Sequence, residues 1–411
     1  MKKFPKGFIF GAATSSHQVE GGCVNDWSVW EKENASRLAN EYISIKDASI
    51  YPEFKKQGTE RDNYISGKAV DHYNRYEEDF SLAESIGLNG YRFSIEWSRI
   101  EPEEGKWDSK EIEHYISMID SLRSKGIEPF VTIWHWTLPV WLAETGGIMN
   151  KKFPFFFSRY ASKIAESFDG KVRFYITINE PEIYSLNSYM LGKWPPQKKG
   201  LFSYIRAMKV LIKSHKEAYS AIKMINPDVL TGPSCNMTFF ESGGGILNNV
   251  LVSAAEKIWN RYFIDHIKKQ FDFIGLNYYF HNRIHYGLNR NLNEKISDMG
   301  WELYPSGIGR IIESLRKYRV PVYVTENGLA DAYDSQRAWF IKETLNEIYN
   351  AICRGAYVRG YFHWSLLDNF EWDKGFWPEF GLISVNRKTM KRTLRPGAEI
   401  YRKIIKEGLD I

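Results

Sequence analysis

Two apolar runs in this sequence stop on a glutamate. Phe174-Tyr-Ile-Thr-Ile-Asn-Glu180 is cut off by Pro181, which has no N–H with which to continue a ladder. Val322-Tyr-Val-Thr-Glu326 is closed by Asn-Gly, a turn pair. One such glutamate is an ordinary loop or hydrogen-bonding residue. Two, each at the end of a buried strand and each beside an asparagine, are a pair of carboxyls that could face one another. Glycoside hydrolysis needs that pair, one carboxylic acid to protonate the departing oxygen and one carboxylate to attack or stabilise the oxocarbenium-like carbon. The aromatic content of 16%, with 14 Trp, is more than a core alone accounts for, and sugar rings present apolar C–H faces that stack on indoles.

Both glutamates must be held by a scaffold that brings distant strands to one place. Eight short runs read as strands: Phe8–Ala13, Gly90–Ser94, Glu128–Trp134, Phe174–Asn179, Val229–Pro233, Phe273–Asn277, Val322–Thr325 and Tyr357–His363. Between them lie segments with apolar residues near a 3.6 period, among them Phe80–Ile86, Ile112–Leu122, Ala161–Phe168, Ile205–Met224, Ile308–Tyr318, Trp339–Cys353 and Ile400–Ile405. Most end on a glycine or asparagine: Gly87, Gly126, Gly170, Asn226 and Gly355. Eight strand–helix repeats without a linker predict one α/β domain over residues 1–411, a (β/α)8 TIM barrel, whose active site is built at the C-terminal ends of its strands. Glu180 and Glu326 then end strands four and seven and face each other across the barrel mouth. Gly243-Gly244-Gly245 follows no convincing strand and reads as a loop rather than a phosphate fingerprint.

Several function classes drop out. The 55 Lys+Arg against 50 Asp+Glu are scattered, with basic pairs but no stripe for nucleic acid. Three cysteines at 23, 235 and 353, without a CxxC spacing, read as reduced thiols of a cytoplasmic protein. Lys6 interrupts the N-terminal apolar stretch, so Phe8 to Ala13 reads as a buried first strand rather than a signal peptide. No run reaches the roughly 18 residues of a membrane span. The run Lys151-Lys152-Phe-Pro-Phe-Phe-Phe reads as a helix start packing its phenylalanines inward. His281 and His285 are four apart but lack a third ligand, so neither a metal nor a cofactor is expected.

Six strings also resemble the signatures of glycoside hydrolase family 1. They are Gly11-Ala-Ala-Thr-Ser-Ser-His-Gln-Val-Glu-Gly, Tyr91-Arg-Phe-Ser-Ile-Glu-Trp-Ser-Arg, Thr177-Ile-Asn-Glu-Pro, Asn277-Tyr-Tyr, Tyr323-Val-Thr-Glu-Asn-Gly and Trp364-Ser-Leu-Leu-Asp-Asn-Phe-Glu-Trp, in family order over nearly the whole chain. The resemblance implies a (β/α)8 barrel and a retaining β-glycosidase of the β-glucosidase/β-galactosidase kind, acting on terminal β-D-glycosides through a covalent glycosyl-enzyme. It makes Glu180 the acid/base and Glu326 the nucleophile. Arg92 becomes the arginine beside the nucleophile, Tyr279 the phenol bonded to it, and Asn277 a partner near the acid/base. A guanidinium there is expected to lower the pKa of Glu326. Gln18, His135, Glu371 and Trp372 correspond to the glycone pocket, with Asn179 on the 2-hydroxyl, Trp364 as stacking floor and Trp301 as aglycone platform. Partners are small β-glycosides or oligosaccharides. Homo-oligomerisation is left open.

The sequence departs from the family at His17, where an aromatic such as tyrosine is common, at Thr137, in place of an aspartate, and at Glu379, in place of an arginine. The last is expected to reverse a charge near the pocket rim. A 6-phospho-β-glycosidase is the rival enzyme, disfavoured because Glu371, expected to be ionised at pH 7 unless strongly desolvated, and Trp372 stand where a phosphate needs a cation. An inactive binding relative is disfavoured because both carboxylates are present.

Overall fold

A computed structural model of the protein describes residues 2–42, 56–292 and 295–409. Each run expected as a strand forms one: β1 (Ile9–Ala13), β2 (Gly90–Ser94), β3 (Glu128–Trp134), β4 (Phe174–Asn179), β5 (Leu230–Ser242), β6 (Ile274–His285), β7 (Val322–Asn327) and β8 (Val358–Trp364). Pairing is parallel in the order 5-4-3-2-1-8-7-6, and β5 pairs with β6 to close the ring. Helices follow every strand, giving a (β/α)8 barrel.

Two strands run eight or more residues further than expected. The fifth run was expected to end at Pro233, a residue that cannot donate to a ladder. In the structure it sits where the β4–β5 register slips, between the pairs Ile176–Gly232 and Asn179–Ser234, an irregularity in which the missing donor is tolerated. β5 continues to Ser242 beside β6, which continues to His285, so the two rise beyond the barrel as a ribbon that carries Asn236, Thr238 and Phe240 to the mouth.

Aromatic rings fill the barrel interior. Phe130 of β3 stacks on Phe174 at 4.1 Å and meets Phe362 of β8 at 4.7 Å and Tyr323 of β7 at 5.3 Å. Non-adjacent strands can meet only across the interior, so these rings are the floor on which the site stands. Gly11 makes room for them, since a Cβ there would lie 2.4 Å from the Phe362 ring. Truncating such a ring to alanine costs about 3–5 kcal/mol.

The helix Phe153–Ser167 begins with its phenylalanines, as expected, and buries Phe153, Phe156, Phe157, Tyr160 and Ile164 at helical spacing. Phe155 is the exception, turned out to solvent. Among the described residues no helix is long and apolar enough to cross a membrane. All three cysteines are unpaired, with Cys23 and Cys235 buried.

Candidate active site

Both glutamates reach the C-terminal mouth of the barrel, where a cavity of about 610 Å³ is lined by Glu180, Glu326, Tyr279, His135, Trp301, Trp364, Glu371 and Trp372 among others. That volume lies within the range of small-ligand sites. Arg92, Asn179, Asn277 and Gln18 stand behind this wall, almost wholly buried, and hold it in shape.

Glu180 follows β4 with φ +42°, a left-handed conformation that an ordinary residue adopts at some cost and that clusters at functional sites. Pro181 then opens a short helix, Pro181–Ser185. Its carboxyl accepts hydrogen bonds at Oε1 from Asn277 Nδ2 at 2.8 Å and Asn236 Nδ2 at 3.1 Å. Burial, followed by the nearby Glu326 charge, pushes its pKa up to about 8.

Glu326 is built differently. Arg92 donates from Nη1 to its Oε1 at 2.5 Å, and the Tyr279 hydroxyl donates to Oε2 at 3.0 Å. Arg92 also donates from Nη2 to Asn179 Oδ1 and from Nε to the Thr132 hydroxyl, so β2, β3, β4 and β7 are tied through one guanidinium. The expected lowering of the Glu326 pKa is corrected: burial outweighs Arg92 and Tyr279 and leaves the carboxyl above its ordinary value. Two carboxyls in one cavity titrate as a pair. The first negative charge is best placed on Glu326, which has the guanidinium and the phenol, and the proton that remains is best placed on Glu180.

The glycone-side residues are also brought together. Asn179 donates from Nδ2 to His135 Nε2 at 3.0 Å, because its Oδ1 already accepts from Arg92 and Asn277. His135 is therefore the Nδ1–H tautomer, and burial and Arg92 hold it neutral. Its Nδ1 has no protein partner among the described residues, a buried donor suited to a ligand oxygen. Gln18 Nε2 donates to Phe370 O at 2.9 Å and reaches Glu371 Oε2 at 3.2 Å. Burial, reinforced by Glu326, Asp373 and Glu180, pushes Glu371 up to about 8, so the exception for strong desolvation applies and its protonated form is favoured at pH 7. Trp364 lies parallel to His135 with centroids 6.0 Å apart, and Trp301 packs edge-on against Phe280 at 4.9 Å.

Two departures find physical reasons. The Thr137 hydroxyl donates to Glu96 at 3.1 Å, a place where an aspartate would set a second buried negative charge against the first. Glu379 does not reverse a charge at the rim, contrary to expectation: its carboxylate pairs with Arg395, which also holds Asp368, away from the cavity lining. Gly328, read as a turn residue after Glu326, also has a packing reason, since a Cβ there would lie 1.8 Å from the Trp364 carbonyl oxygen. His281 is held between Glu302 at 2.7 Å and Glu241 at 3.0 Å.

Sequence reasoning missed Asn236, which lies three residues beyond the expected end of its strand. It also missed Trp136, just past the end of β3, and Trp194 and Trp259, which line the cavity from a loop and a helix where no strand end marks them.

The profile of Glycosyl hydrolase family 1 matches residues 1–266 and 262–409. A 1,4-beta-D-glucan glucohydrolase of Thermotoga neapolitana is 32% identical, with 99% of each chain covered. A beta-galactosidase of Sulfolobus acidocaldarius is 28% identical, covering 99% of this chain and 96% of its own. Among solved structures, a beta-glycosidase from Pyrococcus horikoshii superposes with a TM-score of 0.88 at 33% identity, covering 99% of this chain and 96% of that one. The beta-glucosidase from Thermotoga maritima in complex with glucoimidazole gives 0.87 at 29% identity, covering 99% of this chain and 100% of that one.

Proposed function

The chain belongs to glycosyl hydrolase family 1 and is a glycoside hydrolase, and on that premise we propose that it removes terminal β-D-glycosyl units with retention, through a covalent intermediate on Glu326. The observation that carries the reading is the unequal dressing of two buried carboxyls: a guanidinium and a phenol on Glu326, two amides on one oxygen of Glu180.

In the first step a Glu326 oxygen attacks the anomeric carbon while Glu180 passes its proton to the glycosidic oxygen, and the aglycone leaves. Formation of the ester removes the negative charge of Glu326. The pKa of Glu180 then falls, because that charge was one of the causes raising it. As a carboxylate it takes a proton from water, which attacks the anomeric carbon and frees Glu326. His135, Glu371 and Trp372 grip the glycone over Trp364, with Asn179 on the 2-hydroxyl side and Gln18 beside Glu371 supporting them from behind the lining. Trp301 carries the aglycone. β-Glucosides and β-galactosides are the substrates favoured, since the relatives named above carry both activities in their names. The whole chain acts as one catalytic unit, and a cytoplasmic site of action fits its unpaired cysteines.

A panel of p-nitrophenyl β-D-glycosides, with NMR of the first anomer released, tests the reading. The β-anomer appearing first is expected. An initial α-anomer means inversion and removes the covalent step.

A further inference from the structure

Trp372 has φ +50°, a strained conformation for a bulky side chain, yet it lines the cavity directly after Glu371. Such a conformation persists only where its surroundings fix it. Trp27 and Trp136 press on the indole with centroids 4.7 and 4.8 Å away, and the ring of His17 lies parallel to it, 12° from coplanar and 5.6 Å off.

His17 is itself held at both nitrogens, by a hydrogen bond at Nδ1 and by contact with the Glu31 carboxylate at Nε2. Asn25 Oδ1 accepts from the Ser28 N–H at 2.9 Å, so its Nδ2 is the atom that points to His17 Nδ1 at 3.1 Å and to Glu96 Oε1 at 3.2 Å. Nδ1 must therefore accept, and the ring proton belongs on Nε2, which faces Glu31 Oε2 at 3.3 Å. Glu31 is anchored in turn at Oε1 by the backbone N–H and hydroxyl of Ser66. The imidazole cannot spin or tilt without breaking this chain. It is buried and absent from the cavity lining, and its chain neighbour Gln18 reaches Glu371.

We propose that His17 is a positioning residue for the glycone end of the cavity, holding the plane of Trp372, and through it the carboxyl of Glu371, without touching the sugar. The proposal rests on the glycosidase reading for its substrate contacts. A phenyl ring could supply the stack but neither the hydrogen bond at Nδ1 nor the contact with Glu31, so the orientation of Trp372 depends on a polar chain running from Glu96 through Asn25 and His17 to Glu31.

His17→Phe keeps ring area and removes both polar contacts, and Glu31→Leu breaks the same chain from its other end. For each variant, kcat/KM toward p-nitrophenyl β-glucoside is expected to fall about tenfold, mainly through KM, the size of one lost hydrogen bond to a charged group. On the glycosidase reading Glu371 contacts the hydroxyls at carbons 4 and 6; the 6-deoxy analogue, which lacks one of them, is expected to lose no more than about threefold, in line with a smaller share of that contact. In the crystal structure of His17→Phe the indole of Trp372 is expected to leave its present plane. Equal losses for the two substrates, or an indole that does not move, overturn the proposal. The indole's position is read whether or not the wild type cleaves glycosides, so failure of the glycosidase reading, a wild type inert toward the whole panel, shows separately.

Discussion

Asn277 Nδ2 donates to Glu180 Oε1 at 2.8 Å, and Asn236 donates to the same oxygen at 3.1 Å. With Oε1 occupied by donors, the acid proton belongs on Oε2. Both amides favour the ionised carboxylate and so oppose burial and the Glu326 charge, which hold the pKa near 8. The value of kcat/KM is therefore expected to fall as pH rises through about 8, where Glu180 loses its proton. Asn236→Ala removes one of these donors and should move this alkaline limb upward by roughly one unit, the size of one charge-assisted hydrogen bond. A limb that stays in place would take the acid role from Glu180.

Glu326→Gly leaves Arg92 and Tyr279 facing a space that a small anion fits. Turnover is expected to vanish, and azide or formate to restore part of it with an α-configured product. Substantial activity in the unrescued variant would exclude Glu326 as nucleophile.

Removing the acid should discriminate between leaving groups. Glu180→Ala is expected to cripple glycosides of poor leaving groups by a factor of about a hundred or more, and dinitrophenyl glycosides far less, because only the former need a proton on the departing oxygen. Equal losses for both would speak against proton donation by Glu180.

The barrel and both carboxyls were legible because their signals are local. An apolar run that stops on Asn-Glu-Pro or Glu-Asn-Gly announces a strand end, and the family strings carried the assignment onward. Proximity was hidden. Asn236 joins the site because β5 passes through Pro233 at a register slip, which no propensity marks. The helix Asp26–Tyr42 is too polar to show a clear apolar period, yet its Trp27 abuts Trp372. The protonation of Glu371 depends on desolvation, a property of the closed cavity and not of the residue. Glu379 looked like a rim charge until its partner, Arg395, was seen beside it.

Glu182 is a buried carboxyl that the mechanism does not use. Its Oε2 has no partner among the described residues, and burial, with Glu180 nearby, pushes it up to about 8. A carboxyl whose folded pKa is raised contributes stability that is fully present below its unfolded pKa, about 4.3, and is lost as pH rises through the folded value. At pH 7 the cost of keeping it protonated is on the order of 3 kcal/mol. Glu182→Gln, neutral throughout, is thus expected to raise the unfolding midpoint by several degrees at pH 8 and by little at pH 4. A gain that is the same at both pH values would mean the carboxyl is not raised.

Glu371 bears on whether a 6-phosphorylated sugar is excluded. Its expected contacts are the hydroxyls at carbons 4 and 6, where a phosphate would carry nearly two negative charges. Since burial pushes the carboxyl up to about 8, exclusion is weak at pH 7, where the group is largely protonated, and strengthens as it ionises. Two like charges about 4 Å apart at an effective dielectric of about 20 repel by about 4 kcal/mol. The ratio of kcat/KM for p-nitrophenyl β-glucoside over its 6-phosphate is therefore expected to rise by up to about tenfold between pH 7 and 9. Titration of Glu180 cancels in that ratio, and the phosphate, whose second pKa is near 6, stays a dianion across the range. A ratio that does not change with pH would place Glu371 away from carbon 6. Comparable turnover of both substrates at pH 9 would overturn the reading of this pocket and favour a phospho-glycosidase.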